Sequence, residues 1–301
     1  MFLVVILFSS PLQVTVVCAA RRLSGEMPCF VGRGARCETM QLASEHGYNV
    51  DDQQALSPEG VATLAVGAMG TTTYRRFFHD NARGIISPWH DIPLHTGPDT
   101  PFEKWMVTEI PKMTSAKYEA ATSERWNPIA QDLRKGRPRH YHGPIFWNYG
   151  FLPQTWEDPD VLHEELRVRG DNDPLDVVEI GGRAHRQGEV SRVRILGVLA
   201  MIDSGELDWK VIAVDTADPL ADVIHDIGDL EEWFPHVVSG IREWFRWYKV
   251  PDGCLNEFGF GGRPLGQEEA LRVVEKTHEA WERLRSGSAR GSGLWTGHRK
   301  K

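Results

Sequence analysis

At 301 residues, 41% hydrophobic and 10% aromatic, the chain can bury one substantial core or two small ones. A formal net charge of -8 with pI near 5.9 excludes the basic surface that nucleic acid or an anionic membrane recruits, and admits a phosphate substrate only where metal ions carry the positive charge. Cys18, Cys29 and Cys37 precede the body and Cys254 stands alone in it, so neither a disulfide framework nor a zinc-ligand spacing is available.

Residues 1–20 lack charge, and Phe2 to Phe8 is a compact apolar run, which reads as a signal-like targeting segment. Val17-Cys18-Ala19 sets small residues where a signal peptidase cuts, while Pro11 and the short length count against a membrane span. Arg21, Arg22, Arg33 and Arg36 follow with Glu26 as the single acid, so residues 21–73 read as transit-like or linker. Signal followed by transit suits a plastid reached through the secretory route; cytoplasmic, mitochondrial or secreted destinations are the alternatives. From Glu38 to Thr73 the chain is rich in Ala, Gly, Ser and Thr, and is a linker or the leading edge of the domain.

The body, residues 74–285, begins with strand-like runs at Lys104 to Pro111, Lys117 to Ala121, Leu175 to Ile180, Val190 to Ile202 and Trp209 to Val214. Helical spacing follows over Glu231 to Tyr248 and over Gln267 to Arg285. Strands grouped before helices predict an α+β domain, a small sheet or barrel with helices packed on it. Residues 286–301 open with Ser286-Gly287-Ser288-Ala289-Arg290-Gly291-Ser292-Gly293, which cannot bury a face and reads as a flexible tail.

The chemistry concentrates in Gly170-Asp171-Asn172-Asp173-Pro174-Leu175-Asp176-Val177-Val178-Glu179-Ile180-Gly181. Asp171, Asp173 and Asp176 fall within six positions at the mouth of an apolar strand, a crowding that costs energy unless cations neutralise it. Oxygen-only ligands suit a hard cation such as magnesium. A solvated acidic turn is the plain alternative. A calcium-binding EF-hand fails on spacing, since the fifth position from Asp171 is Leu175 and the twelfth is Gly182. Asp203 and Asp208 lie at what looks like a hairpin tip, and two such tips can converge on one metal cluster. Lys117, Glu119, Arg139, Lys210, Tyr248 and Lys249 add the donors that phosphoryl chemistry needs, although each alone is an ordinary surface residue.

These residues resemble the signature of soluble family I inorganic pyrophosphatases. The match extends to Ser87-Pro88-Trp89-His90-Asp91-Ile92-Pro93-Leu94, Glu109-Ile110-Pro111, Asn148-Tyr149-Gly150, Pro153-Gln154-Thr155-Trp156-Glu157-Asp158 and Glu243-Trp244-Phe245-Arg246 through Gly253, and looks like the eukaryotic-type branch over about Tyr74 to Leu284. The resemblance implies a five-stranded OB-like closed β-barrel with flanking helices, and magnesium-dependent hydrolysis of pyrophosphate by metal-activated water attacking in line. It implies Asp171, Asp176 and Asp208 as ligands of the first Mg2+, Asp176 bridging to a second, with Asp203 and Glu119 holding further ions. Asp173 would orient or deprotonate the water, kept ionised by the cluster. Lys117, Arg139, Tyr149, Lys210, Tyr248 and Lys249 would bind the phosphates, with Tyr149 and Lys117 also counted as catalytic and Glu109 supporting the cavity. A homodimer is implied as well, and no nucleic-acid or stable membrane partner.

The chain departs from the family between Arg139 and Asn148, where the stretch from His140 to Trp147 is several residues short and Ile145 stands where a tyrosine belongs. An aliphatic side chain cannot hydrogen-bond a phosphate, and Tyr141 is the candidate substitute. Two other classes compete with the enzyme reading. One is a scaffold protein on the same fold, against which the complete set of metal ligands counts. The other is a different two-metal phosphatase, for which the sequence offers only generic acidic clusters and no Gly-rich phosphate loop.

Overall fold

Residues 58–297 are described by the computed structural model, so the signal-like segment 1–20 and most of the 21–73 segment lie outside the described residues. Five central strands carry the fold: β1 (Glu103–Ile110), β2 (Asn148–Phe151), β3 (Asp176–Glu179), β4 (Val190–Asp203) and β5 (Glu206–Asp215). β1 is antiparallel to β2 and β4, β2 antiparallel to β3, β3 parallel to β5, and β5 antiparallel to β4. The hydrogen-bonded path therefore returns to the strand it started from. A second, antiparallel sheet joins Ala62–Val66, Arg75–Asp80, Gly84–Ile86, Tyr118–Ala120 and Ile129–Gln131. The stretch before Tyr74 thus contributes a strand at its end. Among the described residues the helices α1 (Ile227–Trp233), α2 (Val237–Trp247) and α3 (Gln267–Ser286) complete an α+β fold, and no helix there is long and apolar enough to cross a membrane.

β5 shows how the site is positioned. Successive strand side chains point to opposite faces, and both faces of β5 are buried. Leu207, Trp209, Val211 and Ala213 join one apolar cluster with Ala270 and Val274 of α3. Ile212 and Val214 join the other. Asp208 and Lys210 belong to this second face, so the apolar packing of β5 fixes where its charged groups emerge. The turn from β4 to β5 uses only Ser204 and Gly205, both at positive φ (55° and 92°), the conformation that a two-residue hairpin compatible with strand twist requires. At Gly150 a Cβ would collide with the Val107 carbonyl, so only glycine lets β2 approach β1 this closely.

Where a single helix is expected from Glu231 to Tyr248, the structure has two. Pro235 lacks the amide proton that a helix interior needs, and His236 takes a left-handed φ of 77° between α1 and α2. Helical spacing persists through the break, which is why periodicity alone reads it as continuous.

Residues 287–297, expected as a flexible tail, turn back onto the body. Gly287 ends α3 in the left-handed conformation, and Ala289 and Leu294 pack against the core. The Trp295 amide donates to the Thr122 carbonyl (2.8 Å), and its ring lies 5.3 Å from that of Trp126. Its carbonyl accepts from Asn127 Nδ2 (3.3 Å). Two apolar side chains within a Gly/Ser-rich stretch suffice to dock it. Trp295→Ala is expected to cost about 1–3 kcal/mol of stability in denaturant unfolding; a loss under about 0.5 kcal/mol, the size of a neutral surface change, would contradict the docking.

Candidate active site

The polar ends of the central strands converge on one cavity of about 150 Å³. It is lined by all thirteen residues singled out from the sequence: Glu109, Lys117, Glu119, Arg139, Tyr149, Asp171, Asp173, Asp176, Asp203, Asp208, Lys210, Tyr248 and Lys249. Glu109 comes from the end of β1, Tyr149 from β2, Asp176 from the first position of β3, Asp203 from the end of β4, and Asp208 and Lys210 from β5. Tyr248 and Lys249 follow the last turn of α2. A larger, open hollow of about 470 Å³ beside His95, Lys104 and Glu275 gathers one carboxylate and no comparable set.

Backbone contacts seat the acidic loop. The Asp173 amide donates to Asp171 Oδ1 (3.0 Å), Asn172 takes φ 75°, and the amides of Asn172 and Glu157 reach the carbonyls of Glu157 and Asp173 (both 2.9 Å). Gly170 lies so close to the Glu157 carbonyl that a Cβ would overlap it. The loop and the Glu157 backbone are locked together, and this brings in a carboxylate that the sequence reading omits.

Glu157, Asp171 and Asp208 place carboxylate oxygens within 4.8 Å of one another. Glu157 Oε1 accepts from the Trp209 amide (3.0 Å), whereas Oε2 is buried with no hydrogen-bond partner. A buried oxygen left without a donor, among other carboxylates and no nitrogen or sulfur ligand, fits a hard divalent cation. Asp176 lies outside this closest grouping; its carboxylate accepts from Lys210 and from the Tyr149 hydroxyl.

Elsewhere the acids and bases are interleaved. Lys210 lies between Asp176 and Asp208 and 3.0 Å from the Tyr149 hydroxyl oxygen. Lys249 faces Asp203. Lys117 lies between Glu119 (2.5 Å) and Asp132 (3.0 Å), and Asp132 also holds Arg139 (3.1 Å). Asp132 is a second omission: it orients two phosphate-binding candidates at once, and nothing in the sequence around it marks it. Ile145 is fully buried in the core, and Tyr141 instead lines the cavity.

The electrostatics follow from burial and crowding. Burial, then Asp208 and the neighbouring aspartates, hold the Asp171 carboxyl well above the ordinary range, and burial with Asp171 and Asp208 does the same to Glu157. Burial raises Asp208 to about 7 against the opposing pull of Lys210. Asp173 also rises to about 7, through burial and then Glu119 and Asp176. Without bound cations, burial and the carboxylate neighbours favour the protonated form of Asp173. Burial also raises Glu109, with Asp176 adding to it. Lys210 stays protonated despite burial because Asp176 and Asp208 face it.

The inorganic pyrophosphatase family model matches residues 106–282. The chain is 47% identical over 220 residues to the chloroplastic soluble inorganic pyrophosphatase 6 of Arabidopsis thaliana, a match covering 72% of each chain. It superposes on the type I inorganic pyrophosphatase of Toxoplasma gondii with a TM-score of 0.72 at 46% identity, covering 74% of this chain and 99% of that one. An N-terminally truncated vacuolar soluble pyrophosphatase of Trypanosoma cruzi, solved in complex with PPi, gives a TM-score of 0.72 at 41% identity, covering 79% and 96%.

The raised carboxyls set the sign of a pH effect. In cation-free protein the folded state binds more protons than the unfolded one between the ordinary carboxyl value near 4 and the raised values near 7, so this cluster's contribution to stability falls as pH rises through that interval. Asp171→Asn keeps the acceptor for the Asp173 amide and deletes one crowded charge. In chelator it should melt with wild type near pH 4 and above it at pH 8, by about 2–4 °C for each kcal/mol relieved. A melting difference independent of pH would contradict the crowding.

Proposed function

Because this chain belongs to the soluble inorganic pyrophosphatase family and is an inorganic diphosphatase, a hydrolase, we propose that it hydrolyses pyrophosphate to two phosphates with magnesium as its cation. The observation that carries this reading is one cavity in which aspartates and glutamates stand side by side with lysine, arginine and tyrosine donors, next to the unpartnered Oε2 of Glu157. Asp171, Asp176 and Asp208 are the proposed first ligand set, with Glu157 joining Asp171 and Asp208, and with Asp203 and Glu119 for further ions. Bound magnesium supplies charge neutralisation and a lowered pKa for water.

The side chains supply the rest. Lys117, Arg139, Lys210 and Lys249 neutralise the phosphate oxygens, and Tyr149 and Tyr248 orient them by hydrogen bonds. In this role the lysines exchange their present carboxylate partners for phosphate, so the site's charge stays balanced. Asp173 accepts the proton of the attacking water, the bound cations beside it favouring the ionised form that acts as a general base. Glu109, buried and accepting from the Ala120 amide (2.6 Å), supports the wall that carries Glu119. The five strands whose pairing returns on itself are read as the OB-like barrel. A plastid location is proposed from the signal-like and transit-like segments and from the chloroplastic relative.

Phosphate release from pyrophosphate, run beside ATP and a phosphomonoester with and without magnesium, tests the reading. Pyrophosphate is expected to be the preferred substrate, and activity should vanish in chelator; full turnover in chelator would refute the cation's role. Asp176→Asn removes the charge facing Lys210 and leaves the apolar face of β3 intact. Its turnover should fall about a hundredfold or more, and wild-type turnover in the folded variant would overturn the ligand set.

A further inference from the structure

Gln131 ends the strand Ile129–Gln131 and is 3% exposed. Its amide nitrogen donates to the Lys117 carbonyl (2.7 Å) and the Arg139 carbonyl (3.0 Å), and lies 3.3 Å from the Asp132 carbonyl. One buried amide therefore ties the main chains of the three residues whose side chains form the ion network of Lys117, Asp132 and Arg139. Backbone bonds complete the ring: the Lys117 amide donates to the Arg139 carbonyl (3.1 Å), the Asp132 amide to the Lys117 carbonyl (3.0 Å) and the Arg139 amide to the Asp132 carbonyl (2.8 Å). Between Asp132 and Arg139 the chain leaves as a largely exposed hairpin, Leu133–Arg134 paired with Arg137–Pro138. A solvated excursion of this kind fixes little about the residue at which it returns, and here that residue is Arg139. The tie at the base of the hairpin fixes it instead.

We propose that Gln131 is a positioning residue for the phosphate-binding side of the site: its buried amide sets the spacing of Lys117 and Arg139, from which the two cationic head groups reach the phosphates of pyrophosphate. The assignment rests on the pyrophosphatase reading above. Gln131 does not itself line the cavity, so it acts through the residues it ties. Asp132 holds the same two head groups by their charge, but that contact is given up when phosphate becomes their partner. The bonds from the Gln131 amide to the backbone carbonyls are untouched by the exchange. Gln131 thereby keeps the two cations placed in the free and in the substrate-bound site alike, which is what preorganised binding of a multiply charged anion requires.

Gln131→Met keeps the length of the side chain and deletes its donors. Each of the three carbonyls retains a backbone amide partner, so the variant is expected to fold. Wild type and variant are compared in pyrophosphate kinetics and, at one temperature below both melting transitions, in calorimetric affinity for magnesium alone and for methylenediphosphonate in saturating magnesium. A roughly ten- to hundredfold loss in kcat/KM is expected, with the analogue bound more weakly. Magnesium affinity should stay within about twofold of wild type, because the hydrogen bonds of Gln131 go to none of Asp171, Asp176 and Asp208. A loss in kcat/KM smaller than about fivefold would overturn the assignment, and so would parallel losses of magnesium and analogue affinity, which signify a loosened fold and not displaced cations. Should Gln131→Met not fold, Gln131→Glu, which keeps the shape and removes the amide donors, carries the same comparison; failure of both to fold assigns the residue to stability and overturns the role. A wild-type protein unable to cleave pyrophosphate would overturn the underlying reading instead, and the wild-type arm makes that failure visible separately.

Discussion

Like charges buried at close range constrain everything else in this protein. Asp171, Asp173, Asp176 and Asp208 line one cavity, with Glu157 set against Asp171 and Asp208, and at short distance in a low-dielectric setting their mutual repulsion exceeds what a surface cluster would feel. The fold answers in two ways. Lysines are threaded among the acids, Lys210 between Asp176 and Asp208 and Lys117 between Glu119 and Asp132. Burial, with the repulsion that the lysines leave uncompensated, favours protons on the acids, which is why Asp173 and Asp208 sit near 7 without bound cations. A site balanced in this way can exchange lysine partners and protons for divalent cations and phosphate without a large change in net charge.

Holding such groups together demands a frame that does not relax. β5 provides much of it, because Leu207, Trp209, Val211 and Ala213 are packed on one face and Ile212 and Val214 on the other, leaving Asp208 and Lys210 no freedom to turn outward. Gly150 and Gly170 allow backbone approaches that any side chain would prevent. Trp244, Phe245 and Tyr248 on and after α2 form an aromatic cluster with Tyr141, three of whose rings line the cavity. Repulsion within the site and cohesion around it are therefore properties of the same strands, seen from their two ends.

Much of this was legible in the sequence where local pattern and position coincide. The acidic loop from Asp171 to Asp176 abuts a β-branched run, the pair Asp203 and Asp208 brackets Ser204-Gly205, and both reach the cavity as expected. Glu157 was quoted only as part of a motif, because it lies in a stretch with no period from which a side chain's direction can be inferred; its role comes from the loop packed against its backbone. Asp132 is an ordinary acid in a polar stretch, and only the return of the chain at Arg139 gives it two cations to hold. The break at Pro235 was hidden because the apolar spacing continues across it. Trp295 was hidden because its partners, Thr122, Trp126 and Asn127, are more than a hundred residues away in sequence.

Cations entering the carboxylate cluster replace its protons. Calorimetric titration of magnesium into the chelator-treated protein, repeated in buffers of different ionisation enthalpy, counts the protons released on binding. Near pH 6.5, saturable binding should release protons, because carboxyls poised near 7 are largely protonated before the ion enters, and the release should diminish as pH rises through that value. Saturable binding with no proton release near pH 6.5, or no saturable binding at all, would contradict it.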